Sequence, residues 1–458
     1  MNLDFLLGLF EEKKSEEAIV WREKNYRYGE LLARVGECRR TIQSPESGIR
    51  PGMVTALEAD FSPTAISLLL ALAEADCILV PLAALSEDKK KDRLEVAQVE
   101  VLVSLDPEDR FRITAQNRPP AAHPYFRELG RRGHPGLVLF SSGSTGKSKA
   151  AVHDLSALLE KFKTRRHCLR TISFLLFDHI GGLDTLFYSL SNASCIVTVP
   201  ERSPDAVCRA IEKYRVEVLP VTPTFLNLLL LSQAHLRHEL SSLKYVTYGT
   251  EVMSEATLKK LSEVFPGVTI LQKYGMTEVG TLRSKSERSD SLWVKVGGEG
   301  YETRVVNGIL QIKARSAMLG YLNAPSPFIE DGWLDTGDAV QVKGEYLRIL
   351  GRASEIINVG GQKVYPAEVE SVIQALANVS DVTVYGEKNP ITGNIVCARI
   401  SLAEEEDRAL FLRRLREHCR AKLEPFKIPV RVSFPAEKQH AARFKKIRNN
   451  PDSEKANR

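Results

Sequence analysis

The stretch "LVLFSSGSTGKSKAAVHD", residues 137–154, begins as a buried strand and then breaks into small residues, glycines and two lysines. A Walker A loop is excluded: Gly146-Lys147-Ser148 supplies its end, but Ser141 stands where the first glycine must turn the backbone around a phosphate. What remains is a hydroxyl-rich loop. Ser141, Ser142, Ser144 and Thr145 are donors, Gly143 and Gly146 allow close approach, and Lys147 and Lys149 are cations. That inventory suits a polyphosphate, with its many acceptors and high charge. A plain structural loop is the competing reading of a Gly/Ser run standing alone.

Outward from this strand the chain alternates. "GMVTALEA", "DCILVPL", "ASCIVTVP", "VEVLPV", "LKYVTYG" and "VTILQKYG" read as short apolar strands. Between them, "SPTAISLLLALAEA", "SPDAVCRAIEKYR" and "SEATLKKLSEVF" have helical spacing, as do residues 26–42. Such alternation predicts an α/β fold of layered, largely parallel sheets. From about residue 295 to 350 the pattern changes to short strands with turns, a small β-rich unit. After "GRASE" a compact α+β set follows. The expected division is a large domain over residues 1–352 and a small, mobile α+β domain over 353–458.

Composition narrows the class. The 458 residues are 43% hydrophobic and 26% charged, with a net charge of +5 and both signs interspersed. That gives no electrostatic case for nucleic acid. Seven scattered cysteines without a CxxC point to a reducing, cytoplasmic setting and away from a zinc site. The start, "MNLDFLLGLFEEKK", has acids where a signal peptide needs a basic region. The longest apolar stretch is broken by Glu74, Asp76 and Pro81, so it reads as a core helix turning into a strand and no membrane span is expected.

Other segments carry chemistry. "YGMTEVG" (274–280) puts an aromatic, a hydroxyl and a carboxylate in one turn, and "WLDTGDAV" (333–340) sets Asp335 and Asp338 around Gly337. "GRASEIINVGGQKVYPAEVE" (351–370) combines an arginine, a glycine pair and Tyr-Pro before a helix. In order with SSGSTGKSK, these resemble the signature set of the adenylate-forming superfamily: acyl- and aryl-CoA synthetases, peptide-synthetase adenylation domains and firefly-type luciferases. The resemblance covers nearly the whole chain, including "YRYGELL" and the segment 48–82.

The resemblance implies ATP-dependent activation of a carboxylic acid to acyl-AMP with release of pyrophosphate, then transfer to the thiol of CoA. It places Ser141, Ser142, Gly143, Ser144, Thr145, Gly146 and Lys149 around the phosphates of ATP. Tyr274, with Gly275 and Met276, would hold adenine; Thr277 would bond the α-phosphate and Glu278 would hold Mg²⁺. Asp338 and Arg352 would take the ribose hydroxyls. In "FDHIGGL" (177–183), His179 would face the carboxylate. "YVTYGTEVMS" (245–254), with Gly249, Thr250 and Glu251, would line adenine and the acyl group, although Tyr248 and Gly249 read equally as packing and turn residues. Gly360 and Gly361 would line the tunnel for the pantetheine arm.

Departures from the family pattern are local. The phosphate loop ends Ser148-Lys149-Ala150 instead of Pro-Lys-Gly, and the hinge position, commonly Asp, is Ser354. In "HAARFKKIRNN" the adenylation lysine falls on Lys446, with Lys445 where the family has glycine; Lys445 is the alternative. The acceptor stays open between CoA, a carrier protein acting in trans and an amine, and a non-catalytic nucleotide-binding relative is the remaining alternative. Asp178 is the one candidate partner for an amino-acid ammonium, out of register, so a fatty or aromatic acid is the expected substrate. Oligomeric state is unread.

Overall fold

The computed structural model describes residues 3–142 and 148–435. Two seven-stranded sheets form the bulk of the chain. In the first, strands Ile196–Thr198, Thr171–Ser173, Val218–Val221, Tyr245–Tyr248 and Thr269–Gln272 run parallel, and the hairpin Glu17–Trp21/Lys24–Arg27 closes one edge. In the second, Gly136–Ser142, Ile78–Leu82, Val54–Glu58 and Val101–Leu105 are parallel. Ser148–Asp154 returns antiparallel to Gly136–Ser142, so the quoted stretch is a hairpin around the glycine-rich loop.

The helix Pro63–Glu74 shows why these layers hold. Ser62 caps it by accepting from Ala65 N at 3.0 Å, and Pro63 occupies the first turn, where no N–H is needed. Every residue from Pro63 to Ala73 is buried, so the helix is apolar on all sides. Each buried leucine contributes about 1.5–3 kcal/mol. The core containing Ile66 and Leu69 continues into Leu183 and Phe187, and so joins the elements of both sheets.

A third, six-stranded antiparallel sheet spans Arg283–Ser286 to Tyr346–Arg352 and accounts for the change of pattern after residue 280. Beyond it come the hairpin Ile357–Val359/Gln362–Val364, the helix Pro366–Gln374, the strands Val379–Asn389 and Gly393–Leu402, the helix Arg408–Arg420 and the strand Arg431–Ser433. These share their own core, with Val382, Ile400, Phe411 and Leu415 at its centre. The fold is α/β, with a large N-terminal part of layered sheets and a small C-terminal α+β part. Among the described residues no helix is long and apolar enough to cross a membrane, and all seven cysteines are free.

Candidate active site

The strand Thr269–Gln272 runs out of the first sheet directly into "KYGMTEVG". There the chain folds back, pairing Gly275 with Thr281 and Met276 with Gly280. A Cβ on Gly275 would lie 2.8 Å from both Gly280 O and Thr281 Cα, so only glycine fits this turn. The turn fixes Tyr274, which is buried; its N–H donates to Ser284 Oγ at 3.0 Å and its hydroxyl to Asp338 Oδ2 at 2.5 Å.

Asp338 comes from the third sheet, where strands Leu334–Lys343 and Tyr346–Arg352 put it directly opposite Arg352. Arg352 Nε lies 2.9 Å from Asp338 Oδ1, and the same guanidinium donates to Thr336 O. Both carboxylate oxygens are thus engaged before any ligand arrives. Burial pushes the Asp338 carboxyl up, with Arg352 and the Tyr274 hydrogen bond pulling it down. Burial, together with the Asp338 charge, drives the Tyr274 hydroxyl well above its usual range. Each carboxylate oxygen keeps a free lone pair, enough to accept from a vicinal diol.

A second group gathers at the mouth of the quoted hairpin. Ser141 pairs with Lys149 across it and Ser142 with Ser148. Gly143, Ser144, Thr145 and Gly146 lie outside the described residues. Strand Gly320–Tyr321 adds to this edge, with Tyr321 opposite Ala151. The Tyr321 hydroxyl donates to the Glu278 carboxylate, and Lys149 Nζ sits 5.3 Å from the centre of its ring. Tyr321 therefore ties the carboxylate proposed for the metal to the lysine proposed for the phosphates. Asn323 clamps the hairpin exit, accepting from Ala150 N at 3.0 Å and donating to Ser148 O at 2.9 Å. These two bonds hold the backbone where the family's Pro-Lys-Gly is replaced. Thr277 lies in the same turn as Glu278, and behind it His153 is fully buried. The backbones of Thr277 and Ser316 face the His153 ring without a well-formed hydrogen bond, and burial pushes its pKa down to about 4.

The sequence reading missed Tyr321, Asn323 and His153. Tyr321 and Asn323 stand in "GYLN", a short run whose partners are remote in sequence, and His153 sits near the end of the quoted stretch itself as one polar residue in an apolar strand.

On the opposite side, His179 caps the helix Ile180–Ser191, its Nδ1 accepting from Gly181 N at 3.0 Å. That bond assigns the ring proton to Nε2 in the neutral form. The adjacent Asp178 is held by Arg93 at 2.9 Å, both side chains being nearly inaccessible, with the guanidinium over the Phe140 ring. This corrects the sequence reading, in which Asp178 was a candidate for a substrate ammonium: it already has its cation. Tyr248 is a packing residue, fully buried with its hydroxyl 3.4 Å from Gln272 Oε1. A Cβ on Gly249 would come within 2.7 Å of Lys273 O, so glycine is required for that approach. Thr250 follows at φ +72°, and Glu251 accepts from Thr224 Oγ1 at 2.6 Å. Glu251 faces a cleft that Glu370 and Gln374 of the C-terminal part also line.

Gly360 and Gly361 form the two-residue turn of an exposed hairpin, both with positive φ, the geometry of a type I′ turn. Their N–H groups bond to Thr392 O and Asn358 Oδ1, within the C-terminal part. No described contact joins them to Tyr274, Glu278 or Asp338. The C-terminal part touches the rest through Ser371 Oγ, which accepts from Glu255 N at 3.1 Å, and Ser380 O, which accepts from Asn227 Nδ2 at 2.9 Å. Lys445 and Lys446 lie outside the described residues.

Comparison with known proteins identifies the set. The family model for AMP-binding enzymes matches residues 10–307, and that for the C-terminal domain of AMP-binding enzymes matches residues 368–445. An indoleacetate–CoA ligase of Aromatoleum aromaticum is 27% identical over 330 residues, which are 66% of this chain and 63% of that protein. The chain spans between 47% and 63% of the length of the first three curated relatives it matches. Among solved structures, the anthranilate CoA ligase AuaEII in complex with anthranoyl-AMP superposes with a TM-score of 0.80, at 20% identity, covering 96% of this chain and 95% of that one. ATP-bound MatB from Rhodopseudomonas palustris gives 0.79 at 22% identity, covering 97% of both.

Proposed function

The chain belongs to the AMP-binding enzyme family, and on that premise we propose that it activates a carboxylic acid with ATP and passes the acyl group to the thiol of CoA. The observation that carries the reading is the network Tyr274–Asp338–Arg352, a diol acceptor built beside an aromatic ring, with Glu278 four residues along the same turn.

In this reading Asp338 accepts from the ribose hydroxyls and Arg352 holds it in place. Tyr274, Gly275 and Met276 form the adenine wall with Gly249, Thr250 and Glu251. Thr277 donates to the α-phosphate, while Ser141, Ser142, Gly143, Ser144, Thr145, Gly146 and Lys149 surround the β- and γ-phosphates. His179, proton on Nε2, orients the acid. A carboxylate oxygen attacks the α-phosphorus, and the bond to pyrophosphate breaks with its electron pair leaving on pyrophosphate. A thiolate then adds to the acyl carbon and AMP departs. Lys446 would bridge carboxylate and α-phosphate in the first step.

Glu278 fits a Mg²⁺ site of the usual kind, one carboxylate completed by substrate phosphates. Among the described residues no cluster of three or more His, Cys, Asp or Glu offers an all-protein metal cage. The ion would neutralise charge on the leaving pyrophosphate. We place the domain division at 352/353, with the small domain, carrying Gly360 and Gly361, rotating between the two steps. Seven free cysteines support a cytoplasmic setting.

The test is acid-dependent exchange of labelled pyrophosphate into ATP, with fatty, aromatic and dicarboxylic acids. Exchange with one class is expected, followed by CoA thioester formation with that class. Measurable ATP binding without exchange for any acid overturns the reading, and exchange without thioester on adding CoA moves the acceptor to a carrier protein or an amine.

A further inference from the structure

The helix Glu87–Val96, "EDKKKDRLEV", is charged along most of its length, yet it buries one of those charges, Arg93. Lys90, one turn earlier on the same face, pairs at 2.7 Å with Glu58, the last residue of the strand Val54–Glu58. Leu94 packs in the core that contains Phe140. The helix is thereby fastened to the second sheet. Arg93 crosses from it to an element of the first. Its Nη1 donates at 2.9 Å to Oδ2 of Asp178, in the segment that leaves the strand Thr171–Ser173 and enters the helix Ile180–Ser191. Its guanidinium lies 5.1 Å from the centre of the Phe140 ring.

Both contacts end one residue short of groups the proposed reaction uses. Phe140 pairs with Ala150 across the hairpin, directly before Ser141 opposite Lys149. Asp178 directly precedes His179, in a turn with no slack: the His179 N–H donates to Leu176 O at 3.1 Å, and a Cβ on Gly182 would collide with that same carbonyl. A displacement of Asp178 is therefore passed on to the imidazole. As a stabilising device the pair is poor, because two buried charges give up their hydration and apolar side chains of equal volume hold a core as well. What an ion pair adds is direction. Here it fixes the relative placement of two residues 85 positions apart, on elements of different sheets, at the point where the phosphate hairpin and the His179 turn approach one another.

We propose that Arg93 is a positioning residue for the activation step. Through Asp178 it sets His179, and through the Phe140 ring it sets the entry to the phosphate hairpin, so that the acid and the phosphates of ATP meet at a fixed separation. This rests on the adenylation reading of the same site and adds to it a residue that touches neither substrate. Misplacement of reacting groups by a fraction of their contact distance is enough to cost most of the rate.

The experiment uses the full chain and three variants: Arg93→Met, Arg93→Lys and the double variant Arg93→Met/Asp178→Leu. Pyrophosphate exchange at saturating substrates reads the rate, calorimetry reads ATP binding and denaturant titration reads stability. Arg93→Met strands a buried carboxylate, so both its midpoint and its rate should fall, the rate by about 10- to 100-fold. In the double variant neither charge is left, and the midpoint should recover while the rate stays at least about tenfold down. Arg93→Lys keeps the charge without the planar group over Phe140 and should retain part of the rate. ATP affinity should move by less than about threefold throughout, because Tyr274, Asp338 and Arg352 share no described partner with Arg93. A rate that recovers with the midpoint overturns the proposal, since the pair would then serve stability alone. An unchanged rate in Arg93→Met, or an ATP affinity that falls in step with the rate, overturns it as well. Should Arg93→Met not fold, the double variant and Arg93→Lys decide by the same criteria. A wild-type chain without exchange for any acid sinks the adenylation reading instead. The coupling is then read by amide hydrogen exchange, in which Arg93→Lys should loosen both the 137–142 and the 176–183 peptides; loosening confined to the helix Glu87–Val96 overturns it.

Discussion

The two sides of the site are built on opposite principles. On the nucleotide side the polar groups described above are paired in advance: Tyr274 and Arg352 on Asp338, Tyr321 on Glu278, Asn323 on the backbone of Ser148 and Ala150. One residue before Tyr274, by contrast, the Lys273 ammonium has no hydrogen bond or ion pair among the described residues, and only the more distant Asp184 charge favours it. A ligand that is the same in every turnover can be met by a closed, preorganised network, because its charges and hydroxyls never vary.

Breaking the closed network should have the largest effect. Asp338→Asn leaves the shape but removes the charge facing Arg352 and turns one acceptor oxygen into a donor. A hydrogen bond from each ribose hydroxyl to a charged acceptor contributes roughly 1.5–3 kcal/mol. The catalytic efficiency of exchange should therefore fall by about 100-fold or more, chiefly as a raised KM for ATP. A change below fivefold would mean that the diol acceptor lies elsewhere.

His153 sharpens the contrast from behind the turn. Its folded pKa of about 4 lies below the ordinary 6.5, so the unfolded chain binds a proton that the folded chain refuses. Stability from this group is therefore complete above pH 6.5 and is lost as the pH falls toward 4. At about 1.36 kcal/mol per pH unit, some 2 kcal/mol should go between pH 7 and 4.5. Denaturant titrations at the two pH values should show that difference shrink in His153→Gln. If it does not, the ring is not the buried neutral group on which Thr277 rests.

The sequence carried the layered α/β core because helices such as Pro63–Glu74 and strands such as Ile78–Leu82 are buried throughout and announce it by continuous apolar runs. It carried Tyr274, Glu278, Asp338 and Arg352 as types and spacings, but not the bond that joins Tyr274 to Asp338 across 64 residues. Pairings of that range depend on how the third sheet lies against the first, and no local pattern encodes it. Asp178 shows the same limit: its partner Arg93 lies 85 residues away on a helix that reads as a solvated charge run, "EDKKKDRLEV". Lys273 was invisible for a different reason. A lysine before an aromatic is unremarked in sequence, and only the count of partners around it in space marks it out.

That count also supplies the smallest effect and the sharpest form of the contrast. Burial disfavours the charged Lys273 ammonium, which has no hydrogen bond or ion pair among the described residues, so the chain should be more stable without it. Lys273→Met preserves length and apolar stem while removing the charge, so the denaturation midpoint should rise, by on the order of 1 kcal/mol in stability. Asp338→Asn, which opens a closed network, should move the midpoint the other way. A destabilised Lys273→Met would show that the ammonium is satisfied within the protein, and this position would be as closed as the network beside it.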